Sequence, residues 1–178
     1  MNQLQQFRAE IDQFMRLHPQ SPLGRGQRPS FTGLNYYEPS TELLFVTSVE
    51  FLDRNLPPVK METSTGDERE QYRWGRVQFE VEGQLAELTI YSDYEGEALF
   101  LPFKDQTNGR ETYGAGRYLD NHRPGLRRIG ADQLELDFNY AYNPYCAYSP
   151  DYSCPLPPRE NWLAVPIRAG EKLPNDSH

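Results

Sequence analysis

The stretch Val77-Gln78-Phe79-Glu80-Val81-Glu82-Gly83-Gln84-Leu85-Ala86-Glu87-Leu88-Thr89-Ile90 decides the fold class. Val77, Phe79 and Val81 alternate with Gln78, Glu80 and Glu82, the period of two that sends successive side chains to opposite faces of a strand. Glu82-Gly83 breaks the run, and Ala86, Leu88 and Ile90 resume it, which is a hairpin signal. Outward from this hairpin, the alternation recurs at Leu99, Leu101 and Phe103, at Leu134, Leu136 and Phe138, and at Leu163, Val165 and Ile167. Leu43-Leu44-Phe45-Val46-Thr47 reads as a strand of mixed burial. Turn clusters such as Ser92-Asp93-Tyr94-Glu95-Gly96 and Arg123-Pro124-Gly125 separate these runs. Roughly eight short strands with turns between them predict a mainly β protein, either a single antiparallel β-barrel or a strongly curved sandwich.

Only one segment carries a helical period. Leu4, Phe7, Ile11, Phe14 and Leu17 recur at helical spacing over residues 2–17, with Asn2 as the cap and Pro19 and Pro22 as stops. Antiparallel strands are expected over residues 31–142 and a last strand over 161–168. Between them, residues 143–160 contain Pro144, Pro150, Pro155, Pro157 and Pro158, which exclude central sheet pairing. This Pro- and Tyr-rich segment is expected to fold over the domain as an ordered flap. The polar run Thr63–Glu70 reads as an exposed loop, and Lys172–His178 as a frayed tail.

A chain of 178 residues most simply makes one domain, 1–178. Lys and Arg total 18 against 26 Asp and Glu, a net charge of −8, which argues against a nucleic-acid binder. Hydrophobic residues are 37%, a lean supply for a core, but 12 Tyr and 9 Phe make up the shortfall, since each ring buries about 150–250 Å². No apolar run approaches the roughly 20 residues that span a bilayer, and Met1–Arg8 has no apolar signal region. A cytoplasmic location follows as the expectation, with Cys146 and Cys154 as reduced thiols first and a disulfide second. No metal site is expected, because the cysteine spacing does not match a short zinc knuckle and the chain has 3 His.

Chemistry concentrates in two segments. In Phe103–Asp120, a loop with Asp105, Thr107 and Gly109 leads into a strand expected to start near Glu111, with Tyr113 and Arg117 on one side. In Asp137–Tyr148, Asp137 and Asn139 face away from Leu134, Leu136 and Phe138. Arg117 is the expected cation for Asp137 or Glu111. Glu111 and Asp137 are carboxylates that acid–base chemistry would use, with Arg117 stabilising charge, and a structural ion-pair network around Arg117 is the plainer alternative.

These segments also resemble a known family. Glu111-Thr112-Tyr113-Gly114-x-Gly116-Arg117-Tyr118-Leu119, Asp137-Phe138-Asn139-x-Ala141-Tyr142-Asn143-Pro144-x-Cys146-Ala147-Tyr148, Cys154-Pro155-Leu156-Pro157-Pro158-x-Glu160-Asn161-x-Leu163 and Ala169-Gly170-Glu171-Lys172 look like the domain of unknown function 1684 family of bacteria and archaea. Ser21-Pro22-Leu23 and Phe31-x-Gly33-Leu34-x-Tyr36-Tyr37 extend the likeness upstream with less specific motifs. The resemblance implies no activity and transfers no catalytic residue, no cofactor and no partner.

Polar and aromatic density without a nucleophile, metal cage or phosphate loop favours a binding or accessory domain. Its ligand is expected to be a small polar or aromatic molecule or a peptide segment. Asp105, Thr107, Glu111, Tyr113, Arg117, Asp137, Asn139, Tyr142 and Asn143 are the candidate binding residues. The alternatives are a small hydrolase- or isomerase-type enzyme using Glu111 or Asp137 with Arg117, and motifs that serve the fold alone. No cofactor and no membrane contact are expected, and the helix face is compatible with a homodimer.

Overall fold

The Val77–Ile90 hairpin is the spine of the larger sheet. In a computed structural model that describes residues 2–174, strand β4 (Glu68–Val81) pairs antiparallel with β5 (Gln84–Ser92). The register sets Val77 against Leu88 and Phe79 against Ala86. Glu82 and Gly83 take φ values of 53° and 78°, the paired left-handed geometry of a two-residue turn whose twist matches the strands it joins. A bulge between Arg73 and Gly75 bends the long strand.

Around this pair the strands β1 (Leu44–Ser48), β2 (Glu50–Phe51), β3 (Val59–Glu62), β6 (Leu99–Phe103), β7 (Arg117–Asp120), β8 (Leu126–Arg128) and β9 (Gln133–Asp137) complete two sheets. One runs β2-β4-β5-β6-β7, with β3 also on β4; the other runs β1-β9-β8. All strand pairs are antiparallel. The expected closed barrel does not form, because the described strands divide between two sheets and neither closes on itself. One apolar cluster serves both: Val77, Leu88, Ile90, Leu101 and Phe103 of the larger sheet join Leu134 and Leu136 of the smaller, with Phe138 beyond it. Burying each such side chain stabilises by about 1.5–3 kcal/mol.

Helix α1 (Gln3–Leu17) opens with a reciprocal cap in which the Gln5 amide donates to Asn2 Oδ1 and the Asn2 amide to Gln5 Oε1. Phe7 meets the Tyr140 ring edge-on at 5.3 Å, and the Arg8 guanidinium lies 4.1 Å over the Tyr36 ring. Leu17, expected on the inner face, is 63% exposed, and Met15 is buried instead. Thirteen residues beyond Leu4, Leu17 has turned about 220° around the helix, whereas Met15 returns to within about 20°.

Three further expectations change. The polar run 63–70 is a tight turn at 63–67 followed by the exposed start of β4, because a strand with both faces in solvent shows no alternation. Residues 161–168 form no strand. Val165 and Ile167 are buried as expected, with Pro166 buried between them, but the Ile167 carbonyl accepts from Arg117 and the Ile167 amide donates to Asp105, which leaves no strand ladder to continue. The tail is pinned at its start, where Lys172 and Leu173 donate to the carbonyls of Asn35 and Glu111; residues 175–178 lie outside the described residues. Within 143–160 the stretch 152–156 bonds the β3–β4 turn, with the Ser64 amide donating to the Cys154 carbonyl and the Leu156 amide to that of Glu62. Among the described residues no helix is long and apolar enough to cross a membrane.

Candidate functional site

The strand expected from Glu111 begins instead at Arg117, because residues 113–116 turn. Gly116 has φ of 105°, and a Cβ there would stand 2.7 Å from both the Phe103 carbonyl oxygen and Pro157 Cγ, so only glycine permits the approach. That turn delivers Arg117 inward with no exposure at all. Its partner is Asp105, at 2.9 Å, with both side chains fully buried, and not Asp137 or Glu111 as the sequence suggested. Position decides this. Asp105 stands two residues beyond the end of β6, and β6 pairs in register with β7, where Phe103 faces Arg117.

The pair sits inside a buried polar hub. Asp105 Oδ1 also accepts from the Thr107 amide at 2.7 Å and the Ile167 amide at 3.3 Å, while the Thr107 and Thr112 hydroxyls meet at 2.8 Å. Arg117 donates to the carbonyls of Ile167, Ala169 and Glu171. Glu171, unnoticed as a site residue in the sequence, continues the hub: its Oε2 accepts from Asn143 Nδ2 at 2.7 Å. Burial pushes its carboxyl up to about 8, against the lowering influence of Asn143, Arg123 and Arg117. Asn143 Nδ2 also reaches Tyr148 at 3.2 Å, and Asn143 Oδ1 has no described partner. Asp105, Thr107, Arg117 and Asn143 therefore belong to one buried network linking the 104–112 loop, β7, the 143–148 segment and the chain near Glu171.

The other candidates lie around it. Glu111 accepts from the Tyr37 hydroxyl at 2.9 Å and from Arg168 at 3.4 Å. Burial foremost, and Glu111 next, pushes the Tyr37 phenol up to about 12. The Tyr113 hydroxyl meets Cys146 Sγ at 3.5 Å. Cys154 Sγ accepts from the Cys146 amide at 3.3 Å, and burial pushes its thiol up to about 11. The cysteines are free thiols. Tyr142 donates to Asp120, which also caps the amides of His122 and Arg123. Asn139 is bonded to Ser40 in both directions and to Asp137 Oδ1.

One candidate opens onto a concavity. Asp137 lines a cleft of 480 Å³ together with His122, Arg123, Glu135 and Tyr140, and Gln3 of α1 reaches its edge. Asp137 Oδ1 is occupied by Asn139, whereas Oδ2 accepts from no described residue. Arg123 lies 3.7 Å over the Tyr142 ring, which holds the guanidinium in place. Arg127 is already paired with Glu135 at 2.6 Å. The cleft thus offers a free carboxylate oxygen and a positioned guanidinium, groups that bind donors and acceptors respectively. Among the described residues, no group of three or more His, Cys, Asp or Glu is placed to hold a metal ion.

Asp120, Glu171 and Asn161 were missed as functional candidates. Asn161 is fully buried, and its side chain bonds both the amide and carbonyl of Thr89 and the carbonyl of Pro102. The available signal was that Asn161 and Glu171 fall inside the quoted family motifs, since nothing in local spacing points to partners so distant in the chain.

Comparison with known proteins agrees with the motifs. Residues 29–172 match the family described as Protein of unknown function (DUF1684), and the chain belongs to it. Among solved structures, the solution NMR structure of an uncharacterized protein from gene locus rrnAC0354 of Haloarcula marismortui is similar, with 35% sequence identity and a TM-score of 0.72. The match covers 99% of this chain and 95% of that one. No curated protein matches.

Proposed function

We propose that the protein is a binding or accessory domain for a small polar molecule, seated in the cleft that Asp137 lines. The observation that carries this reading is the unoccupied Asp137 Oδ2 in a 480 Å³ concavity shared with His122 and Arg123. That volume lies in the range of small-ligand pockets, about 300–1,000 Å³. A ligand bearing a hydrogen-bond donor for Asp137 and an acceptor for Arg123 suits it. In this reading the scaffold is a curved sandwich covered by an ordered Pro/Tyr-rich flap. Asp105, Thr107, Arg117, Asn139 and Asn143 hold its elements in place, Glu111 and Tyr113 brace the flanking loops, and Tyr142 steadies Arg123. The enzyme alternative needs an accessible Arg117, and the guanidinium is spent on Asp105 and three carbonyls.

Thermal-shift screening against polar metabolites tests the reading, since a ligand that binds only the folded state raises its stability by mass action. Stabilising compounds should lose their effect in Asp137→Asn and Arg123→Met. Stabilisation that survives both substitutions removes this cleft from the account.

A further inference from the structure

A separate cleft of 680 Å³ opens where Gly114 and Ala115 face Leu156-Pro157-Pro158 and Trp162. It shares no lining residue with the polar cleft. Trp162 is 48% exposed, yet it is not loose. Its indole Nε1 donates to the Pro157 carbonyl at 2.9 Å, and its amide donates to that of Arg159 at 3.1 Å. A large flat apolar side chain is therefore held half in solvent by defined bonds beside two prolines.

Cations surround that ring. Lys104 Nζ lies 4.7 Å and the Arg159 guanidinium 5.4 Å from its centroid, and Lys60 lines the same cleft. None of the three is ion-paired with a described carboxylate. Glu62 is the acidic residue on the lining, so three positive charges face one negative in a chain whose net charge is −8. A local excess of positive charge on an acidic protein selects anions, and an exposed indole flanked by proline rings selects flat apolar surfaces.

We infer that this cleft binds a planar organic anion: an aromatic ring seated against Trp162 and Pro158, bearing a carboxylate, sulfonate or phosphate that Lys104 and Arg159 hold. The ring and the charge are both required. Apolar contact alone would leave the cations unanswered, and an inorganic anion alone would leave the indole exposed.

The test is titration of the ¹⁵N-labelled full chain with 2-naphthoate, 2-naphthylmethanol and inorganic phosphate, each followed in ¹H–¹⁵N spectra. The expected result is saturable movement of the Trp162 indole resonance and the Gly114 and Ala115 amides with naphthoate. The neutral alcohol and phosphate should bind at least about tenfold more weakly, the loss of roughly one favourable charged contact. Lys104→Met combined with Arg159→Met should weaken naphthoate by a similar factor, and Asp137→Asn in the polar cleft should leave it unchanged. Equal binding of acid and alcohol, movement confined to other residues, or no movement overturns the proposal. The comparison of ligands on the unmodified chain decides it even where a variant misfolds.

Discussion

Arg117 has no exposed surface, and its surroundings explain why a charge is tolerated there. Asp105 neutralises it and three carbonyls accept from its two terminal nitrogens, while Nε has no described partner, so much of the cost of removing both ions from water is met by hydrogen bonds. Taking away one partner strands the other. Arg117→Met is expected to cost about 3–5 kcal/mol in urea unfolding, and a loss below about 1 kcal/mol would show that the hub is not structural. Glu171 gives the same hub a pH dependence. Folded, it keeps its proton to about 8, whereas its ordinary value is 4.5. Between those values the unfolded chain binds fewer protons, so stability falls as pH rises, and the contribution of the neutral carboxyl is gone once pH passes about 8. Glu171→Gln stays neutral throughout and should flatten the decline in Tm from about pH 5 to about pH 8. Parallel declines in the two proteins would contradict the assignment.

At the scale of elements, what could be read from the sequence was what local periodicity encodes. The β4–β5 hairpin and its Glu82-Gly83 turn follow directly from alternation and a two-residue break, and α1 from its helical stripe and Asn2. Asn2→Ala should therefore cost about 1 kcal/mol, the usual worth of an N-terminal cap, read as a lowered Tm; an unchanged Tm would mean that packing alone holds the helix. Elements set by distant contacts were not legible. The strand foreseen from Glu111 starts late because Gly116 must turn under Phe103 and Pro157, and the alternation at 163–167 is that of an extended segment whose backbone polar groups serve Asp105 and Arg117. Inward-facing side chains betray burial, but they do not say which groups the backbone bonds.

Across the whole molecule, two sheets share one apolar core, and the polar residues divide by depth. The sequence offers nine candidate binding residues. Four of them, Asp105, Thr107, Arg117 and Asn143, do meet, but in a buried network. Asp137 faces the open cleft instead. The residues that share that cleft, among them Gln3, His122, Arg123 and Tyr140, come from three separated stretches of chain, so no window of sequence could assemble it. The family match spans residues 29–172, which holds all the quoted motifs except Ser21-Pro22-Leu23, and geometry separates those that build the fold from those that meet solvent. Under the proposed function, the polar ligand occupies the open polar cleft and not the buried hub. The most direct test maps amide shifts in ¹H–¹⁵N spectra on adding the polar compound that most raises Tm. Shifts are expected to cluster at residues 121–127 and 135–140, and shifts centred on Thr107, Arg117 and Asn143 would place the ligand at the buried hub instead.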